Sequence, residues 1–334
     1  FIGREEELEG LATWLADAPS VAVVTGPGGI GKTRLAEEAA SAAAARSDAT
    51  FVPVSLEEAS DAASAAAQVA TAVEAPDLGD VAPRDRIVAT LRHRRAVILM
   101  DNVEQIDDVE TLLIDLAEAC GTISWIATSR RRLAVPGART WTLHGLPVAP
   151  RGPDEPASSP AAALLVSRLR DAGGRVEPDD ADAIDEICRA TGGMPLALEL
   201  AAGWARVLSV RGVVERWLRR AALDAGSDDL AGDDLPERHR ALRRVFDASW
   251  ELLDSVDRTA LLRLTVFHGG CSVDAAQAVA AVGLGRLASL RDASMLDVDR
   301  DGRVRMHPLI DRYLRERAAE REDVPESLRA RHAA

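Results

Sequence analysis

The chain has 334 residues, enough for two or three domains with ample core, and a formal net charge of −14, which argues against a general nucleic-acid-binding surface. Its apolar runs fall far short of the ~20 residues that span a bilayer, so no membrane partner is expected. No signal peptide precedes the first strand, the start at Phe1 instead of Met points to a cut-out fragment, and a cytoplasmic protein is expected.

In chain order, the opening "FIGRE" stretch is a possible helix entry, and the first strand is a short buried one, "VAVVT" (21–25), followed by the turn "GPGGIGKT" and a helix, "TRLAEEAASAAAAR" (33–46), rich in strong helix formers. Gly26-x-x-x-x-Gly31-Lys32-Thr33 matches the P-loop pattern, whose backbone N–H groups wrap around nucleotide phosphates. Strand, glycine turn and helix together put a helix N-terminus at the phosphates. Pro27, Gly28, Gly29, Ile30, Gly31, Lys32, Thr33 and Arg34 are therefore nucleotide-binding candidates. Lys32 is the one lysine among 40 basic residues. A compact ammonium fits a cradle that arginine's wider planar fork does not. The sequence predicts a nucleotide-binding protein.

Further strands are expected at 50–55, 95–100, 123–128 and 139–142, with helices between them, which implies a parallel sheet covered on both faces. The Ala-rich tract 59–73 reads as compositional. The strand 95–100 runs into Asp101, on the ligand side of such a sheet, where it can hold Mg²⁺ through water together with the Thr33 hydroxyl. Asn102 follows, where fast P-loop ATPases place a second carboxylate, so tight binding with slow hydrolysis is expected. Glu104 either serves as the base or simply begins a helix over 104–120, where acids are favoured. On that helix Cys120 falls in register with Ile106, Val109, Leu113 and Leu116, a core face. Cys188 and Cys271 lie far from it, and the six histidines have no metal-ligand spacing, so no metal-cluster chemistry is expected. After the strand 123–128, Arg130 either reaches a γ-phosphate or belongs to a solvated run, Arg130 to Arg132.

A proline-rich linker, 147–160, precedes an all-helical stretch with helices at 160–172, 179–191, 195–208 and 211–222. An acidic break at 224–237 follows. The last block has helices near 239–253, 256–266, 272–281 and 284–293, two short strands around "MLDV" and "RVRM", and a final helix from Pro308. That order resembles a winged helix. The expected architecture is an α/β P-loop nucleotide-binding domain (1–150), an all-helical domain (151–232) and a winged-helix domain (233–334). In the candidate recognition region, 284–297, Arg286 and Arg291 stand against Asp292 and Asp297, a poor footprint for phosphate contacts, so direct nucleic-acid binding is not expected. No internal repeat is found.

Six segments occur in a telling order: "FIGREEEL", "VILMDNVEQ", "ATSR", "GGMPLALELAA", "LTVFHGGCSVDAA" and "RMHPLIDRYLRER". With the P-loop they resemble the STAND class of P-loop NTPases. More narrowly, they resemble the NB-ARC-like ATPase core of large actinobacterial LuxR-type and SARP-type (antibiotic regulatory protein) transcriptional regulators. The resemblance implies a slow ATPase used as a switch, closed on ADP and open on ATP, when it self-associates. The DNA-binding module and repeat sensor of such regulators lie outside this sequence. By resemblance, Ile2 and Arg4 hold the adenine end of the nucleotide, Gly193 and Pro195 form a G-x-P element whose proline packs on adenine, and Arg130 reads the γ-phosphate. Pro195 is also a good first residue for its helix. His307 matches the histidine that contacts the β-phosphate of ADP and locks the closed state, with Pro308 where that motif has Asp. Two other readings share the same residues: a turnover motor or loader of AAA type, and the NB-ARC core of a defence or effector protein.

Overall fold

The computed structural model describes residues 1–148, 159–205, 208–215, 243, 246–247, 249–251, 253–267, 269–293, 295–299 and 302–321. The predicted acidic break at 224–237, most of the predicted linker and helix 239–253, and the distal part of helix 211–222 lie outside them. Residues group into two compact units: Phe1 with Gly3–His144, and Ile2 with Gly145–Ala334.

In the first unit five strands form one sheet: β1 (Val21–Thr25), β2 (Thr50–Ser55), β3 (Ala96–Asp101), β4 (Ile123–Ser129) and β5 (Arg139–Thr142). Their order is β2-β3-β4-β1-β5, and every pairing is parallel. Central parallel strands are covered on both faces, which is why β3 and β4 read as unbroken apolar runs. Ile98 lies opposite Trp125 in the register, and both are fully buried. Helices α1 (Glu5–Asp17), α2 (Lys32–Ser47), α3 (Ala62–Ala72), α4 (Pro83–Leu91) and α5 (Val109–Ala119) supply the cover. Ile98 and Met100 join one apolar core with Val69 of α3, Ile87 of α4 and Leu113 of α5. Val97 and Leu99, alternating to the other face, are buried on the side where α2 packs on β3. At the edge, Thr50 N–H bonds Arg95 O, so odd positions of β2 face outward and Pro53 falls there, where no ladder N–H is missed.

As expected between two strands, the Ala-rich tract forms a helix, α3, entered by a capping box between Asp61 and Ser64 and burying Ala65, Ala66, Val69 and Ala70. Alanine there allows close approach of backbone to neighbours, a use that composition alone does not reveal. The predicted helix 104–120 is instead a 3₁₀ turn at Val103–Gln105 followed by α5 from Val109. Left-handed residues bracket that turn, Asn102 with φ 68° and Asp108 with φ 57°, and such residues interrupt a helix. Glu104 therefore sits in the turn, while Cys120 caps α5 and is buried as expected.

The second unit starts with α6 (Pro160–Asp171), α7 (Ala181–Ala190) and α8 (Pro195–Trp204), with α6 packed on both others. Ser159 caps α6 by accepting from Ala162 N–H. The predicted helix 179–191 opens as a 3₁₀ turn, Pro178–Asp180. Beyond it come α9 (Ser255–Leu264), β6 (Cys271–Ser272), α10 (Val273–Ala278), α11 (Leu284–Asp292), β7 (Asp297–Val298), β8 (Arg303–Arg305) and α12 (Pro308–Arg321). The three strands form an antiparallel sheet in the order β6-β8-β7, and β6 was not foreseen. Tyr313 of α12 donates to Asp247 Oδ1 at 2.7 Å, and Arg317 pairs with the same carboxylate. Burial pushes the thiols of Cys188 and Cys271 up to about 12 and 11, which leaves them unreactive. Among the described residues no helix is long and apolar enough to cross a membrane.

Candidate nucleotide-binding site

The sheet order sets β1 beside β4 and β4 beside β3, so the carboxyl ends of these three strands lie together. From β1 the chain enters the glycine turn. Gly26, with φ 153°, donates its N–H to Ser129 O at 3.3 Å, and a Cβ there would stand 2.9 Å from the Leu143 carbonyl oxygen. Gly29 (φ 73°) and Gly31 (φ 92°) are also left-handed, and Gly31 leads directly into α2. The first N–H groups of α2 have no partner within the helix, and they open beside Lys32 and Thr33. Such donors, with the helix dipole behind them, suit a phosphate.

Lys32 is 7% exposed, and its ammonium donates to Pro27 O across the turn at 3.1 Å. Burial holds its pKa below the ordinary lysine value. The Glu104 carboxylate opposes that most, Arg130 adds to it, and Asp101 opposes it less. Thr33 Oγ1 donates to Asp101 Oδ1 at 2.8 Å. A second hydroxyl, Thr128 Oγ1, donates to the same oxygen and accepts the Asn102 N–H at 2.9 Å. A hydroxyl and a carboxylate in contact form an all-oxygen donor set that fits a hard cation such as Mg²⁺. The glycine turn and unbonded helix N–H groups fit the phosphates of a nucleotide.

Arg130 Nε stands 2.8 Å from Glu104 Oε1, while Glu104 Oε2 is buried with no hydrogen-bond partner among the described residues. Its neighbour Arg131 pairs with Glu110 instead. Arg4 is buried at 5% exposure, and its guanidinium donates to Ile30 O at 3.1 Å and His144 O at 2.6 Å, bracing the turn from below. Burial lowers the Arg4 pKa, with Glu7 opposing. Arg34 is exposed on the first turn of α2.

Thus Lys32, Thr33, Asp101, Glu104, Arg130 and Arg4 gather around the P-loop within the first unit, while Ile2, Gly193, Pro195 and His307 belong to the second. There, a Cβ at Gly193 (φ 65°) would stand 2.0 Å from Leu146 O, and Leu146 N–H bonds Gly193 O at 2.8 Å. Glycine at 193 is needed for that close backbone approach. Pro195 is the first residue of α8. His307 is half-buried just before α12, and its carbonyl accepts the Asp311 N–H at 3.0 Å. Sequence reasoning missed Thr128, whose only signal is a polar pair, Thr128–Ser129, closing an apolar strand.

A protein-family description, the AAA ATPase domain, matches residues 1–175. The "Putative HTH-type transcriptional regulator Rv0890c" of Mycobacterium tuberculosis is 32% identical over 269 residues, covering 77% of this chain and 28% of that protein. The "Uncharacterized protein Rv0894" of the same organism is 30% identical over 311 residues, covering 90% of this chain and 75% of that protein. The chain thus spans little more than a quarter of the regulator it matches. Among solved structures, a Signal Transduction ATPase with Numerous Domains (STAND) protein with a tetratricopeptide repeat sensor from Pyrococcus horikoshii shares the fold, with a TM-score of 0.60 and 16% identity. It covers 99% of this chain and 44% of that one.

Proposed function

Because the chain belongs to the AAA ATPase domain family, we propose that it is the ATP- and ADP-dependent switch of a larger transcriptional regulator, closed on ADP and able to self-associate on ATP. The observation that carries this is the Thr33–Asp101 hydrogen bond beside the P-loop, followed by an amide at Asn102 where a fast enzyme needs a carboxylate. Backbone N–H groups from Gly28 to Thr33 would hold the phosphates, and Lys32 would turn its ammonium from Pro27 O to them. Thr33 and Asp101 would hold Mg²⁺. When bound, Mg²⁺-nucleotide supplies a polarised phosphoanhydride. Glu104 would serve as proton acceptor for water, and Arg130 would meet developing negative charge.

The second unit supports the remainder of the reading. In this reading 151–232 would be the helical domain and 233–334 the winged helix; among the described residues α6, α7 and α8 support the first and the antiparallel sheet β6-β8-β7 with α10 the second. Arg286 of α11 bonds Asp254 and Asp257 at 3.0 and 2.9 Å, so its charge is engaged within the protein, and this favours signalling over DNA contact. By the family resemblance alone, Ile2 and Arg4 would serve the adenine end, Pro195 the base and His307 a β-phosphate. Such a regulator would act in the cytoplasm, with its DNA-binding and sensor domains elsewhere in the full protein.

Turnover is the test. With Asn102 supplying no base, the chain alone is expected to hydrolyse on the order of one ATP per minute or slower, against ~10 s⁻¹ for a median enzyme. A phosphate-release assay reads this directly. Several turnovers per second without any partner would favour a motor over a switch.

A further inference from the structure

The ion pair between Arg130 and Glu104 joins the two side chains that the proposed reaction needs, and engages each with the other. Their contact is 2.8 Å, with Glu104 16% and Arg130 36% exposed at the side chain. Both lie close enough to the Lys32 ammonium to act on its charge. The pair is also incomplete. Among the described residues no donor reaches the buried Glu104 Oε2, and a carboxylate oxygen left so pays a desolvation penalty that its neighbour does not offset.

The two partners differ in freedom to move. Glu104 belongs to the 3₁₀ turn Val103–Gln105, and Gln105 pins that turn by donating Nε2 to Leu56 O at 2.8 Å and to Glu57 O. Asn102 ahead of it is tied to Thr128 through its N–H. Arg130 instead lies just past the end of β4, on a long side chain with a third of its surface in solvent. If the pair opens, the guanidinium is the part that leaves. A terminal phosphate is its natural destination, because arginine's planar fork matches phosphate oxygens as well as it matches a carboxylate.

We propose that Glu104 and a γ-phosphate compete for Arg130, so that this ion pair is the element by which the site distinguishes triphosphate from diphosphate. A diphosphate leaves the pair closed. A triphosphate draws Arg130 away and frees Glu104 Oε1 to face water, which gates the carboxylate as well as reading the nucleotide. The proposal rests on the nucleotide-site reading of the P-loop. It differs from a plain arginine sensor in one respect: the carboxylate opposes triphosphate binding, and its removal strengthens that binding.

The test is a double-mutant cycle on the full chain, titrating Mg²⁺-ADP and Mg²⁺ with a non-hydrolysable β,γ-imido ATP analogue by calorimetry, so that turnover does not enter. Glu104→Gln keeps the side chain's shape and removes its charge. It should tighten the analogue relative to ADP roughly three- to fivefold, the scale of a partly exposed ion pair. Arg130→Ala should weaken the analogue and leave ADP unchanged. Glu104→Gln added to Arg130→Ala should then no longer favour the analogue over ADP. The proposal is overturned if Glu104→Gln shifts both ligands equally or neither, or if its effect persists without Arg130. Failure of the nucleotide-site reading would look different, because the unaltered chain would then bind neither ligand. Thermal melting of each variant separates loss of folding from loss of discrimination.

Discussion

Lys32→Ala is expected to abolish high-affinity binding of both ADP and ATP while leaving the unfolding midpoint nearly unchanged. The side chain is 7% exposed, yet among the described residues its ammonium bonds a loop carbonyl, Pro27 O, so little of the core depends on it. A buried, hydrogen-bonded charge pair is worth about 2–5 kcal/mol when one partner is truncated, so Kd should rise by roughly 10²-fold or more. Lys32→Arg should fail nearly as badly. A planar guanidinium is wider than the ammonium that reaches Pro27 O at 3.1 Å. Calorimetry with ADP decides the matter, and parent-like binding by Lys32→Arg would show that the single lysine is not there for steric reasons.

Asp101→Asn is expected to separate binding from hydrolysis. An amide oxygen can still accept from Thr33 and Thr128, so the ends of β3 and β4 stay joined and the fold survives. What disappears is the negative charge. A divalent cation contributes several kcal/mol to phosphoryl transfer, so hydrolysis should fall by roughly 10²-fold or more. Nucleotide affinity measured in the presence of a chelator should be unchanged, while the gain on adding Mg²⁺ should vanish. If hydrolysis persists at the parent rate, the cation is held elsewhere.

Much of the first unit was legible because its signals are local. A buried strand, a glycine turn and a helix follow one another within 21–47, and the strands at 50–55 and 139–142 formed where their apolar and β-branched residues placed them. The class was legible from motif order, and the STAND reading agrees with the family and fold that the chain shares. What stayed hidden depends on contacts across the fold. Asn102 takes a left-handed backbone, with its N–H on Thr128, 26 residues away, and this breaks the helix that the pattern 104–120 implied. Arg4 reaches His144 across 140 residues, so nothing near it in sequence could announce a bracing role. Arg130 left two readings open, and the ion pair with Glu104 is a third that neither reading contained. Alanine in α3 was read as bias because a methyl group gives hydrophobic periodicity little amplitude.

The placement of Lys32 has a consequence for how this protein is cut. A lysine-specific protease has a single target in the chain, the bond from Lys32 to Thr33, and it lies in the first turn of α2. That helix is fixed by Leu35, Ala36, Ala39, Ala40 and Ala43, all fully buried, so the bond enters a protease cleft only when the start of α2 comes away from the sheet. The cleavage rate is then a direct gauge of how often the phosphate-binding turn opens. Any ligand seated there slows the cut in proportion to the fraction of sites it leaves empty, by a factor of about 10² when present at a hundred times its Kd. A single band on a gel dividing into two would report on the one turn whose opening matters most.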